Sequence, residues 1–143
     1  MRTRGFAITA VLLLAAGCSS SPKDDLDSWY TSGGKDRINR VLDGASRVNE
    51  ASMSPISSLE PACHDLAKQA AEGEAHDPIP HEGAQLAWST ALKSFRKGAS
   101  ECTAGASAQD QPRVSSGVVE IQTNGLPALR RALSYIKDSL GAD

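Results

Sequence analysis

Apolar residues in this chain recur every three or four positions over most of its length, a period that only amphipathic helices can gather onto one buried face. The pattern is cleanest in residues 55–73, where Ile56, Leu59, Cys63, Leu66, Ala67 and Ala70 share one stripe. An earlier segment, residues 32–53, aligns Ile38, Val41, Leu42, Ala45 and Val48 with charged residues mostly off the stripe. Residues 82–104 align Ala84, Trp88, Ala91, Leu92, Phe95, Ala99 and Cys102, and residues 112–140 align Val114, Val118, Ile121, Gly125, Leu129, Leu133, Ile136 and Leu140. Aromatic content is only 4% and β-branched runs are scarce, which disfavours sheet. The predicted fold class is therefore all-α, a four-helix bundle.

Punctuation between the stripes sets the expected boundaries. Ser54 before Pro55 suits a cap with proline in the first turn, and Gly73 suits a helix end. Pro78-Ile79-Pro80 forbids helix between the second and third segments. Residues 105–111 read as a small-residue loop. Gly125 and Pro127 predict a kink in the fourth helix, or a break into two short ones.

The first residues describe an address rather than a fold. Arg2 and Arg4 are followed by an apolar stretch from Phe6 to Ala16, too short to span a bilayer, and Leu12-Leu13-Leu14-Ala15-Ala16-Gly17-Cys18 ends it in small residues and a cysteine. This run resembles the export signal of bacterial lipoproteins, with Ala15 where leucine is usual. The resemblance implies cleavage after residue 17, a diacylglyceryl group on the Cys18 thiol, and an acylated terminus held in the membrane. The expected divisions are a signal peptide over 1–17, a lipidated cysteine and flexible tether over 18–28, and a bundle domain over 29–143. Removing residues 1–17 leaves 126 residues, room for one modest core, with 13 basic against 17 acidic side chains. A net charge near −4 without a basic cluster excludes nucleic acid as an expected partner. Asp24, Asp25 and Asp27 oppose anionic headgroups, so lipid must do the anchoring.

Export changes what the other two cysteines mean. Cys63 and Cys102 lie on the apolar stripes of the second and third helices, and in an oxidising compartment they read as a disulfide. Such a bond also chooses a topology. With the cysteines level, an antiparallel pair asks the connector to climb roughly 16 Å, within reach of eight extended residues at about 3.3 Å each. A parallel pair needs nearly three times that span. The bundle is thus expected to be antiparallel and braced by one disulfide.

Cys63, Asp65-Leu66-Ala67, Pro78-Ile79-Pro80, Trp88 with Ala91-Leu92, Gly98-Ala99 and Cys102-Thr103-Ala104-Gly105 together resemble a group of small, uncharacterised, secreted or lipid-anchored helical proteins of actinobacteria. The resemblance spans residues 29–140 and implies a fold and an envelope location, with no activity attached.

Catalytic patterns are missing from the sequence. It holds no Gly-x-Ser-x-Gly elbow, no phosphate-binding glycine loop and no His-Glu-x-x-His helix, so no enzyme is expected and no cofactor is assigned. Glu72, Glu74, His76, Asp77, His81 and Glu82 crowd one connector and offer ligands for Zn²⁺, Cu²⁺ or Ni²⁺. The intervening prolines separate His76 from His81, however, which makes His76, Asp77 and His81 weak metal candidates. Met53 and His64 lack the Cys-x-x-Cys-His attachment of a bound haem. Trp29 and Tyr30 are the candidate contact residues, either meeting a partner or closing the core beside the tether. Arg130-Arg131 and Lys137 read as a solvated face.

Two functions fit these readings. One is a membrane-anchored, non-enzymatic interaction module binding another envelope protein, which requires a surface patch. The other is a carrier of a small apolar ligand or metal, which requires a cavity near Trp88 and Phe95 or a site in the connector. Alanines at 67, 70, 84, 91 and 99 allow close helix approach and favour the first.

Overall fold

The computed structural model describes residues 20–141, and helix begins in it earlier than the apolar pattern predicts. The Ser21 hydroxyl accepts the Asp24 N–H and the Asp24 carboxylate accepts the Ser21 N–H, each at 3.2 Å. With Pro22 in the first turn, this capping box starts helix α1 (Pro22–Trp29). Residues 22–28 are therefore not the flexible tether expected for 18–28. The segment carries one apolar side chain suited to burial, Leu26, and one residue cannot display a period. Leu26 is nonetheless 1% exposed.

A π-turn, Tyr30–Gly34, carries the chain from α1 into α2 (Lys35–Ala51). Gly33 turns it with φ at +125°, a conformation costly for any residue with a Cβ. Ile38, Val41, Ala45 and Val48 are buried along α2 as predicted, whereas Leu42 stands at the margin, 36% exposed. A short 3-10 turn, Ile56–Ser58, precedes α3 (Leu59–Glu74). The expected start at Pro55 is displaced because Pro55 is extended, with ψ 146°, and Pro61 rather than Pro55 occupies the first α-helical turn.

Helix α4 (Glu82–Ser107) is the longest and lies at the centre. All seven residues of its predicted stripe are buried. The loop expected over 105–111 contracts to three residues, since α4 runs through Ser107 and α5 (Gln111–Glu120) begins beyond the Asp110 cap. Gly105 is not a terminator here; it is a contact point, where an added Cβ would sit 2.6 Å from the Val114 nitrogen.

The fourth rod neither breaks nor stays regular. A π-turn, Ile121–Gly125, joins α5 to α6 (Leu126–Leu140), and the Leu126 N–H bonds the Ile121 carbonyl five residues back. Pro127 lacks an N–H and would crowd the carbonyl four residues before it, so a wider turn just upstream relieves the conflict.

Helices α2, α3, α4 and α5–α6 form the four rods of an antiparallel bundle. Cys63 and Cys102 form a disulfide between α3 and α4, with Cα atoms 6.0 Å apart and both residues 0% exposed. Ser107 Oγ donates to Glu60 at 2.9 Å beside the disulfide, while Arg96 pairs with Glu74 further along, so the two helices run in opposite directions. Gly98, Gly117, Phe95 and Gly125 meet in the order an antiparallel α4–α5–α6 pairing requires. The hydrophobic core runs through all four rods, and Leu26 joins it from α1.

Candidate functional site

Two ends of the bundle differ in chemistry. At one, α3 begins, α4 ends, and the disulfide lies nearby. At the other, α1, the 75–81 connector, the start of α4 and the end of α6 come together, and most residues singled out for function gather there.

Trp29 ends α1 half-buried, and its indole N–H donates to the Asp77 carbonyl at 3.2 Å. The ring packs over Gly34, where a Cβ would approach it to 2.5 Å. Trp29 thus joins α1 to the connector, and Tyr30 lies half-buried beside it at the start of the π-turn. Both pack against the core while keeping part of their surface exposed.

The connector is ordered by its own polar contacts. Ile79 plugs the core at 3% exposure, and its N–H donates to Gln85 Oε1 at 2.8 Å. His81 Nδ1 accepts the Ala84 N–H at 3.0 Å and so caps α4. That bond occupies the nitrogen nearest the helix, and the ring lies 5.6 Å from that of Tyr135. His76 and Asp77 are exposed. Among the described residues no three His, Cys, Asp or Glu side chains converge on a position that could hold a metal ion. His64 is solvent-facing, its side chain 71% exposed beside Asp65.

Arg37, absent from the sequence candidates, is half-buried near this corner, and its Nε has no hydrogen-bond partner. Burial lowers its pKa, as does Arg40, while Asp77 acts in the opposite sense. An arginine off the α2 stripe carries no sequence signal for this position. The same holds for Leu86 and Tyr135, large apolar side chains 70% and 45% exposed. With Gly83, Ala87, Thr90 and Arg131 they line a surface depression of about 190 Å³ between α4 and α6. Arg131 therefore belongs to a feature of the surface rather than to a uniformly solvated face.

Trp88 and Phe95, the expected cavity walls of a carrier, are 3% and 0% exposed. Gly73 packs near the Trp88 ring and Gly125 near that of Phe95. A depression of about 150 Å³ lies beside Trp88, bordered by His76, Asp77, Gln85 and Lys93. A broader groove of about 530 Å³ runs between α3 and α4 past Lys93, Arg96 and Lys97, where Glu74 and Glu120 pair with Arg96 and Lys97. Cys18, the expected lipid attachment site, lies outside the described residues. Among the described residues no helix is long and apolar enough to cross a membrane. No protein-family profile, curated protein or solved structure matches this chain.

Proposed function

We propose that this chain is a cell-envelope lipoprotein, anchored through lipid on Cys18 to the extracytoplasmic face of the cell membrane, whose bundle is a non-enzymatic module for binding another envelope protein. The observation that carries the reading is the Cys63–Cys102 disulfide, buried at 0% exposure. Such bonds persist in oxidising compartments and are rare in the cytosol, so it supports the export implied by residues 2–18. The filled interior around Phe95 and Trp88 favours a surface role over carriage of a ligand in the core. A rigid, disulfide-braced bundle also presents its surface with little entropy to lose on binding.

The test is crosslinking of the full chain in intact membranes, followed by mass spectrometry of the purified protein. Expected are lipid on Cys18, its loss in Cys18→Ser, and one envelope protein recovered at near-stoichiometric yield. A soluble, unacylated wild-type chain would overturn the anchor. Recovery of an acylated chain with no protein attached would overturn the interaction module.

A further inference from the structure

The position of α1 turns a flexible anchor into a short one. Between Cys18 and the proline that opens α1 stand only three residues, Ser19, Ser20 and Ser21. Four residue steps, even fully extended, reach roughly 14 Å at most. Helix α1 is itself fixed to the bundle by Leu26 in the core and by the Trp29–Asp77 hydrogen bond. Its first turn lies beside the end of α6, where Lys23 Nζ would stand 3.9 Å from a Cβ at Gly141. Any lipid on Cys18 is consequently held next to the end formed by α1, the connector, the start of α4 and the end of α6.

That end carries the side chains a lipid surface would accept. Leu86 is on the second turn of α4, and Tyr135 is near enough to Gly83 that an added Cβ there would approach its ring to 3.3 Å. Tyr135 lies six residues from Gly141, about 9 Å along α6. An exposed leucine, a tyrosine with a polar tip and an arginine lining one depression suit the boundary between acyl chains and phosphates. The acidic side chains of α1, Asp24, Asp25 and Asp27, argue that this contact does not depend on anionic lipid.

We infer that this end of the bundle rests on the membrane surface, with Leu86 and Tyr135 in the headgroup layer and Arg131 facing lipid phosphate. The occupant of the α4–α6 depression is the anchoring leaflet itself. Helix α4, 26 residues and roughly 39 Å long, then carries the disulfide end and the 52–58 turn away from the membrane, where an envelope partner can reach them. This inference rests on lipid attachment at Cys18.

The experiment places the full-length lipidated protein in phosphatidylcholine vesicles containing a phosphatidylcholine with a photoreactive diazirine near its headgroup. After illumination, adducts are mapped by mass spectrometry. Peptides covering residues 76–90 and 131–141 are expected to carry at least tenfold more adduct than those covering 49–60 and 104–121. Met53 and Val119, which are 82% and 53% exposed, are internal controls for labelling driven by hydrophobicity alone. The surface variant Leu86→Ser/Tyr135→Ser is expected to remain folded and lipidated and to label less at 76–90 than the wild type, though still above the controls because the lipid keeps this end near the bilayer. Unchanged labelling would overturn the seating of Leu86 and Tyr135 in the headgroup layer. Intact mass of the same sample reads the anchor separately. A chain without lipid on Cys18 overturns the anchor and the inference with it. A lipidated chain labelled evenly along its length, or most strongly near Met53 or Val119, overturns the orientation and leaves the anchor standing.

Discussion

The two ends of the bundle are held by different kinds of contact. Towards the disulfide, α4 and α5 meet backbone to backbone: a Cβ on Gly117 would lie 2.4 Å from the Gly98 oxygen and 2.6 Å from the Cys102 nitrogen. The reciprocal contact is equally tight, with a Cβ on Gly98 placed 2.6 Å from the Gly117 oxygen. Arg113 and Glu101 close the outside of that seam at 2.7 Å. At the α1 end, one buried leucine, the half-buried Trp29 ring and its single indole hydrogen bond hold an eight-residue helix in place. The first region has no slack for rearrangement, whereas the second is expected to open without disturbing the four rods. Local stability should follow this division.

Gly117→Ala tests the α4–α5 seam most severely. Its new methyl group would meet backbone on two sides, so relief requires α5 to move away from α4 along much of their length. Overpacking of this kind typically costs 1–3 kcal/mol, and contact with backbone on both sides puts the expected loss at about 3 kcal/mol. For a domain of this size that corresponds to a melting temperature lower by roughly 12 °C. Calorimetry checks it. A fall of only a degree or two would mean that the α4–α5 seam yields as easily as the α1 end.

Leu26→Ala probes the weaker region. Removing a buried leucine side chain costs about 2 kcal/mol at the low end of such substitutions. Because the contact fastens α1 alone, the loss should appear as local opening. Amide hydrogen exchange in residues 25–34 is expected to accelerate by roughly 30-fold, with exchange across α4 and α5 nearly unchanged. Equal acceleration in α4 would show that α1 belongs to the same cooperative unit as the seam.

The contrast also explains what could be read in advance. Helices α3 and α4 bury long runs of apolar side chains at regular intervals, so their faces were legible from spacing. The Cys63–Cys102 pairing needed the export reading as well, and the antiparallel arrangement followed from that bond and the reach of the connector. Helix α1 buries a single residue, and Ser21-Pro22-Lys23-Asp24 has the composition of a linker as well as the chemistry of a capping box. The reciprocal hydrogen bonds and the burial of Leu26 separate the two readings. Glycine was ambiguous in the same way: Gly105 looks like a helix end in sequence, while in the fold it is the small residue that lets two helices touch. His81 resembled a metal ligand because its residue type fits one, yet its ring nitrogen serves the α4 backbone. Leu86 and Tyr135 were invisible because a lone exposed apolar residue has meaning only beside its neighbour from another helix.

Acid should act differently, and only weakly, on the two ends. Burial works against ionisation of Glu120, but hydrogen bonds from Asn124, Lys97 and Ser94 prevail and hold its carboxyl below the ordinary value of 4.5. The folded protein therefore binds fewer protons than the unfolded chain between those two values. The resulting stability is fully present above about pH 4.5 and is lost as pH falls through the lower, folded-state value. Asp24 is shifted in the same direction by its hydrogen bonds with Ser21, but it is fully exposed on α1. The two carboxyls should consequently report different events. Glu120→Gln is expected to flatten the fall in melting temperature between pH 5 and pH 3 slightly, as measured by thermal unfolding at each pH. Asp24→Asn should leave that global profile unchanged and alter only the exchange of α1 amides. If Asp24→Asn flattened the melting profile as much as Glu120→Gln, α1 would have to unfold together with the α4–α5 seam, and the two ends would form one cooperative unit.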